Sequence, residues 1–334
     1  MSYIFLSFFI LLNIVLVFFN KSIANLFKLF DKPDNVRKFH KLSVPITGGI
    51  IIYVNLIFFS ILQFFINYDL QLFESFQNYL VFFSVCSLFF FLGLIDDKIL
   101  MNANLKFLLL IFFILIALFL DNEIIIKQVR LFFISFEIPL WSIPWTLICF
   151  LLFINAFNMF DGYNLQCSSY SIFLLSILYL KSNFSNIFLI LIISITFFSF
   201  LNYKSKSFMG DSGTYLLAFI ISYFCIKLYN SKNFVYVDEI VLLMIIPGLD
   251  LMRLFFERIF IYKKSPFKPD RNHLHHYLID IYGEKKTFFI LNSLIIFPFL
   301  IGILISQTLL FIILQLFIYF FLVSFLKKKL ASIN

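Results

Sequence analysis

Long apolar runs separated by short polar segments make up most of the chain. A helix that crosses a membrane needs about 20 mostly apolar residues. Eleven runs approach or reach that length, and they cover residues 3–20, 46–67, 79–95, 106–120, 141–157, 169–182, 187–201, 213–229, 238–256, 287–305 and 308–326. The pattern therefore predicts an all-α polytopic membrane protein with eleven transmembrane helices.

The distribution of lysine and arginine predicts the orientation, because cytoplasmic loops of membrane proteins are enriched in both. The side that holds residues 21–45 carries 21 of the 26 basic residues, and the opposite side carries five. The N-terminus is then outside and the C-terminus in the cytoplasm. Lys21 and Lys28 follow the first apolar run, whereas a cleaved signal has its positive charge before the run, so a retained helix is predicted.

Composition supports a membrane protein and excludes several other classes. Of 334 residues, 62% are hydrophobic and 13% are charged, which leaves too little polar surface to cover a water-soluble globule. A soluble enzyme, a disordered chain and a nucleic-acid-binding module are excluded as first interpretations. One membrane domain is predicted over residues 1–334, with a cytoplasmic loop at 257–286. The four cysteines are scattered singly and are interpreted as small buried hydrophobic residues.

The polar motifs fall where the predicted helices end on the cytoplasmic side. A carboxylate within the membrane costs about 2.5–3.5 kcal/mol on insertion, so each of these positions indicates a function. Their shared side predicts one active-site cleft at the cytoplasmic face. The motifs are FLGLIDDK with Asp96 and Asp97, the following Lys106, NAFNMFDGYN at 155–164, FMGDSG with Asp211, Asp250, and PDRNHLHH at 269–276.

The residue types in these motifs are those of phosphoryl transfer. Carboxylate and amide oxygens suit a hard cation such as Mg²⁺, and cationic side chains neutralise phosphates. No nucleophilic serine or cysteine arrangement accompanies them, which favours catalysis by positioning and electrostatics. The oxygen donors are Asp96, Asp97, Asn158, Asp161 and Asp211, and the cations are Lys106, Arg271, His273, His275 and His276.

A further polar segment, PDNVRKFH, lies at 33–40. Five segments, from this one to PDRNHLHH, resemble the motifs of the polyprenyl-phosphate N-acetylhexosamine-1-phosphate transferases, in the order of that superfamily. The histidine motif is similar to the WecA, TagO and WbpL branch rather than to the MAPxHHH form of MraY. The resemblance spans nearly the whole chain.

The resemblance implies an enzyme that transfers a sugar-1-phosphate, GlcNAc-1-phosphate in the first interpretation, from a UDP-sugar to undecaprenyl phosphate. UMP is released, and a lipid-linked cell-envelope glycan such as O-antigen begins at a bacterial inner membrane. The implied cofactor is Mg²⁺, with Mn²⁺ as an alternative, and the partners are the UDP-sugar, undecaprenyl phosphate and membrane lipids, with a homodimer left open. UDP-FucNAc, UDP-QuiNAc and UDP-MurNAc-pentapeptide are alternative donors.

The resemblance also implies roles for individual residues. Asp96, Asp97 and Lys106 are implied to be catalytic, and Asp211 with Asn158 to bind the metal. A further group is implied to bind substrate: Asn155, Asp161, Asn164, Arg271, His273, His275 and His276. Arg37, His40, Asp250 and Arg258 match family segments that could contact substrate.

Simpler interpretations of the same residues stay open. Asp96 and Asp97 could form a plain helix end, and Asp211 could be only an N-cap, worth about 1 kcal/mol. The asparagines could form amide hydrogen bonds between helices, and Arg37 and His40 could anchor the chain at lipid headgroups. Asp250 and Arg258 could be an ion pair. The three histidines could bind zinc or form a basic loop, although their spacing does not converge well on one helix face.

Two further points bear on function. Leu165-Gln166 stands where the family usually has Gly-Leu, a departure that concerns sugar specificity more than activity. A transporter or flippase is the non-enzyme alternative, since buried charges in polytopic proteins also mark transport pathways. Carboxylates at mid-bilayer would favour the transporter, and carboxylates at helix ends favour the transferase.

Overall fold

A computed structural model describes residues 3–31, 43–65, 72–266 and 270–333. Arg37 and His40 lie outside these residues. The described chain forms twelve α-helices: α1 (Tyr3–Phe18), α2 (Asn20–Phe27), α3 (Gly48–Phe65), α4 (Phe76–Ile99), α5 (Ala103–Leu120), α6 (Ser142–Phe160), α7 (Gln166–Lys181), α8 (Asn186–Tyr203), α9 (Gly210–Asn230), α10 (Val237–Phe256), α11 (Leu274–Leu304) and α12 (Thr308–Ile333).

Each of the eleven apolar runs falls on one of these helices, which confirms the all-α polytopic membrane fold. Eight helices in the described ranges are long and apolar enough to cross a membrane, or nine when α1 and α2, bent by 65°, count as one span. Helix α7 has 16 residues, and α10 carries four charged side chains, so these two do not reach the same standard. Eleven spans and their orientation stay predictions.

Strands contribute little. β1 (Phe30–Asp31) pairs antiparallel with β2 (Val44–Pro45), and β3 (Gln128–Arg130) pairs antiparallel with β4 (Ser135–Glu137). In β1–β2, Phe30 faces Pro45, and in β3–β4, Val129 faces Phe136. Neither pair closes into a barrel or builds a layer, so helix packing supplies the core.

Helix α9 is the centre of the bundle. Its whole apolar stretch is buried inside the protein, and it packs against α4, α6 and α3. Glycines allow the closest approaches: a Cβ at Gly93 would lie 2.4 Å from the carbonyl carbon of Asp211, and a Cβ at Gly49 would lie 2.5 Å from the Gly213 nitrogen. The helix that begins with the GDSG motif is therefore held in the middle of the fold.

Two breaks shape the last part of the chain. A π-helical turn over Glu257–Ile261 continues α10. Within α11, Gly283 has φ 77° and ψ 165°, so the segment that follows the histidine motif is separate from the long apolar part of the helix. Part of the predicted loop at 257–286 is therefore helical, because residues 274–282 form a short helix before this break.

The end of the bundle away from the motifs holds its own buried polar contacts. Lys227 pairs with Glu123, and Tyr223 donates a hydrogen bond to the buried Asp121 at 2.5 Å. Asp238, in the first turn of α10, accepts a hydrogen bond from Thr308 at 3.0 Å. These contacts offset part of the free-energy cost of burying charged groups at that end.

Candidate active site

Four helix ends bring the predicted oxygen donors and Lys106 together. The last turns of α4 and α6 meet the first turns of α5 and α9. Lys106 Nζ lies 2.5 Å from Asp96 Oδ2 and 3.9 Å from Asp211 Oδ2. The Asn158 amide donates a hydrogen bond to Asp211 Oδ1 at 2.8 Å. The sequence motifs thus form one cluster at one end of the bundle.

The turn between α4 and α5 fixes Asp96. Leu100, the residue that follows α4, lies in the left-handed region with φ 52°. The chain turns back there, so that Lys106 of α5 lies beside the last turn of α4. Asp96 is 1% exposed, and its Oδ1 accepts the Met101 backbone N–H at 2.7 Å. A buried carboxylate requires such donors, and the ammonium of Lys106 supplies the charge partner.

Asp97 points the other way and caps α9. Its Oδ1 accepts the backbone N–H of Asp211 at 2.7 Å, and its Oδ2 accepts both the N–H and the hydroxyl of Ser212, at 3.0 and 2.7 Å. The first N–H groups of a helix have no partner within it, so the carboxylate from α4 satisfies two of them. The side chain of Asp211 instead faces Asn158 and Lys106.

Replacing Asp97 by asparagine is expected to destabilise the protein by about 1–3 kcal/mol, because one oxygen acceptor becomes an N–H donor facing N–H groups. Thermal unfolding in detergent measures this loss. Ser212→Ala is the control, because it removes one hydroxyl hydrogen bond and should lower the free energy of unfolding by less. A variant that melts like the wild type but has lost activity would contradict the capping role and point to a part in the chemistry.

Helix α6 presents its two asparagines differently. Asn158 donates to Asp211 and also to the Thr214 hydroxyl, both at 2.8 Å, and so joins α6 to α9. Asn155 donates to the Leu151 carbonyl of its own helix at 2.7 Å. Asn158 therefore belongs to the carboxylate cluster, whereas the substrate role of Asn155 stays a prediction.

The segment after α6 lies between the carboxylates and the next helix. Asp161 ends α6, and burial, with a smaller contribution from the charge of Asp97, raises the pKa of Asp161 to about 7. Asn164 donates to Ser205 at 2.7 Å, which fixes this segment to the connection before α9. The side chain predicted to bind substrate thus also has a structural partner.

The departure at Leu165-Gln166 has a local structural consequence. Leu165 adopts φ 67°, a left-handed conformation that costs a residue with a Cβ about 1–2 kcal/mol and glycine almost nothing. The glycine usual in the family fits this backbone. Gln166 is 2% exposed, and its side-chain amide has no hydrogen-bond partner among the described residues. A leucine at that position would bury no polar atom.

The histidine motif forms a second cluster around Asp250. His273 Nδ1 lies 2.9 Å from Asp250 Oδ2, and the rings of His273 and His275 have centroids 5.2 Å apart. His273 precedes α11 while His275 lies in its first turn. These two rings therefore converge, contrary to the expectation from their spacing, because the chain bends before the helix begins.

The segment after α6 connects the two clusters. A Cβ at Gly162 would lie 2.1 Å from His275 Nε2, and the ring centroids of Tyr163 and His275 are 6.4 Å apart. The histidine motif is thus packed directly on the segment that begins with Asp161. Carboxylates, Lys106 and histidines share one region, as the sequence predicts for a single cleft.

Potential metal ligands occur in both clusters. Ligand atoms of Asp250, His273 and His275 lie within 4.8 Å of one another. However, Asp250 already accepts hydrogen bonds from Arg253 at 2.9 Å and Tyr319 at 2.8 Å, as well as facing His273, so its charge is balanced. The carboxylates around Lys106 are more numerous than their cation and suit a hard divalent ion better.

The arginines do not pair as the sequence suggested. Asp250 pairs with Arg253 rather than Arg258, and Arg258 pairs with Asp270 at 2.9 Å. Burial raises the pKa of Asp270, but the hydrogen bond and charge of Arg258, together with the Asn272 backbone N–H and the charge of His273, leave that pKa below its usual value. Arg271 contacts Asp280 at 3.1 Å in a half-exposed pair, and His276 is half-buried beside His275.

Sequence reasoning missed several residues of this region. Arg253 lies three residues after Asp250 on α10, and Glu257 lies four residues after Arg253, at the start of the π-helical turn. That charged row after an apolar run was an available signal. Tyr319 and Lys327 come from α12, and nothing in their local sequence marked them. The missed side chains that contact the two clusters are Ser212, Thr214, Arg253, Glu257, Tyr319 and Lys327.

Known proteins resemble this chain over most of its length. The profile of glycosyl transferase family 4 matches residues 79–229. The undecaprenyl-phosphate alpha-N-acetylglucosaminyl 1-phosphate transferase of Escherichia coli K12 is 25% identical over 299 residues, which cover 85% of this chain and 78% of the relative. The protein of the same name from Thermotoga maritima is 27% identical over 296 residues, covering 86% and 87%.

The profile match contains the residues of the carboxylate cluster, from Asp96 and Lys106 to Asn158 and Asp211. The similarity to both relatives extends well beyond it. The chain is therefore similar to glycosyl transferase family 4 over residues 79–229, and over most of its length to transferases named for undecaprenyl phosphate.

Proposed function

We propose that this protein transfers GlcNAc-1-phosphate from UDP-GlcNAc to undecaprenyl phosphate, releasing UMP, at the inner membrane of a bacterium. The acceptor phosphate attacks the β-phosphorus of the donor, the bond to the UMP oxygen breaks, and a diphosphate-linked sugar lipid forms. The two relatives carry the name of a transferase acting on undecaprenyl phosphate. The product starts a lipid-linked envelope glycan.

The observation that carries the proposal is the Asp96–Lys106–Asp211 cluster at the ends of membrane helices. Asp96 lies three residues before the end of α4, and Asp211 is the second residue of α9. A reaction between a soluble anionic donor and a lipid phosphate requires its catalytic groups where water meets the membrane. The helix-end position also disfavours a transporter, whose ionisable groups lie near the bilayer midplane.

The carboxylate cluster fits Mg²⁺ as the proposed cofactor. The Asp96 and Asp211 carboxyl groups are within hydrogen-bonding reach of each other, and Lys106 is the one cation that the described residues place against both. Carboxylates this close need a shared proton or a cation. Asp211 and Asn158 would hold the ion with Asp96 beside it, and bound Mg²⁺ supplies charge neutralisation for the phosphates.

The protein side chains have separate tasks in this proposal. Lys106 offers an ammonium beside the carboxylates, where it can hold an incoming phosphate oxygen. A phosphomonoester is largely ionised near neutral pH, so the attacking oxygen needs orientation more than deprotonation. The partly exposed Arg271 provides donors for the sugar diphosphate at the other side of the cleft, which the buried His273 and His275 line.

The test is release of UMP by purified protein supplied with UDP-GlcNAc, undecaprenyl phosphate and Mg²⁺. We expect turnover that EDTA abolishes and added Mg²⁺ restores. Turnover only with UDP-FucNAc, UDP-QuiNAc or UDP-MurNAc-pentapeptide would keep the chemistry and change the donor. Absence of turnover with all four donors, in protein that is folded and monodisperse, would refute the proposal.

A further inference from the structure

A buried tyrosine on the last helix reaches the histidine cluster. Tyr319 is 0% exposed. Its hydroxyl donates to Asp250 Oδ1 at 2.8 Å and accepts a hydrogen bond from Arg253 Nε at 2.8 Å. Both hydrogen-bonding capacities of the hydroxyl are thus used on the two charged groups that lie directly behind His273.

Asp250, which Tyr319 holds in place, in turn contacts His273. Its Oδ2 lies 2.9 Å from His273 Nδ1, and its Oδ1 also accepts the backbone N–H of Leu274 at 3.1 Å. An imidazole whose Nδ1–H donates to a carboxylate is fixed in orientation and tautomer, and its Nε2 is left for other partners. The direction of the His273 ring therefore depends on where Asp250 is held.

Helix α12 holds the remaining charges of the same row. Arg253 donates to both carboxylate oxygens of Glu257 at 3.1 Å and to the Asn272 carbonyl at 2.6 Å. Lys327, two turns after Tyr319 on α12, donates to Glu257 at 2.7 Å. Two side chains of α12 therefore bind the charged row of α10 and its π-helical turn, and of these two only Tyr319 contacts the carboxylate that faces His273.

We propose that Tyr319 is a positioning residue for the transfer reaction, which acts on His273 through Asp250 and Arg253; the inference rests on the proposed function. Without the hydroxyl, Asp250 Oδ1 and Arg253 Nε each lose a partner inside a buried site. The carboxylate can then rotate, and the His273 ring loses its fixed direction. Misplacement of a group in the cleft is costly even when no substrate contact is removed.

The experiment is a double-mutant cycle on kcat/KM for UMP release with Tyr319→Phe, His273→Ala and the double variant. We expect Tyr319→Phe to lower kcat/KM about 10- to 100-fold in the wild-type background and to have almost no further effect when His273 is alanine. Where His273→Ala leaves no measurable turnover, the same cycle is read from the Kd for UDP-GlcNAc.

Tyr223→Phe is the matched control. Tyr223 is equally buried and also donates its hydroxyl to an aspartate, Asp121, but at the opposite end of the bundle. We expect this variant to lose stability without loss of kcat/KM in the protein that remains folded. Additive effects of Tyr319→Phe and His273→Ala, or equal losses of activity in both tyrosine variants, would overturn the role. No turnover in the wild type would instead refute the proposed function.

Discussion

Asp211→Asn is expected to lower kcat/KM for transfer at least about 100-fold and to leave the fold intact. The substitution removes one of the two carboxylates that face Lys106 and the proposed metal ligand with it. The fold is spared because the backbone N–H of Asp211, rather than its side chain, receives the cap from Asp97. An asparagine oxygen can still accept the hydrogen bond from Asn158.

Asp238→Asn provides the control for this prediction. Asp238 is also in the first turn of a buried helix and also accepts a side-chain hydrogen bond, from Thr308, but it lies at the other end of the bundle. UMP release and thermal unfolding are measured for both variants, with a Mg²⁺ titration. Unchanged activity in Asp211→Asn would refute the metal site, and equal losses in both variants would indicate a general effect of removing a carboxylate from the first turn of a helix.

Gly93→Ala is expected to destabilise the protein by about 3 kcal/mol and to abolish transfer in the protein that remains folded. The new Cβ would lie 2.4 Å from the carbonyl carbon and oxygen of Asp211 and from Ser212 Cα. These are backbone atoms, so relief requires moving the start of α9 away from α4. That movement separates Asp97 from the N–H groups it caps and Asp211 from Lys106.

Gly248→Ala is the matched control, because it adds the same methyl group inside a helix where nothing lies within 4 Å of the new Cβ. Alanine is favoured over glycine in a helix by about 0.5–1 kcal/mol, so this variant should melt at or above the wild-type temperature. Melting in detergent and UMP release distinguish the two. Wild-type stability and activity in Gly93→Ala would show that the α4–α9 contact does not hold the site.

The membrane fold and the grouping of the carboxylates at one end of the bundle were accessible from the sequence. The apolar runs located the helices, since backbone in a membrane must satisfy its hydrogen bonds within the segment. Lys/Arg counting placed FLGLIDDK, NAFNMFDGYN and FMGDSG at helix ends of one side, and the structure brings Asp96, Asn158 and Asp211 into contact. Helix α10 was harder to predict as a buried helix, because burying its charged row has a high free-energy cost unless the partners on α12 are known.

The division of labour between adjacent residues was not accessible. Asp96 and Asp97 look equivalent in the sequence, yet they point to different partners. Neighbouring residues on a helix differ in direction by about 100°, so one carboxylate meets Lys106 and the other meets α9. Which faces which depends on how α4 rotates against α5 and α9, and that rotation is set by close contacts such as the one at Gly93.

The sequence by itself determined the membrane setting, the helix ends that carry the polar motifs and the family that these motifs resemble, since each depends on local composition and spacing. The tertiary structure alone decided that Asp97 is a cap, that Asp250 pairs with Arg253 and His273, and that Tyr319 stands behind them. Hydrogen bonds between residues as far apart in sequence as Asp250 and Tyr319 arise from helix packing. The pattern of residues along the chain does not specify which helix faces pack together.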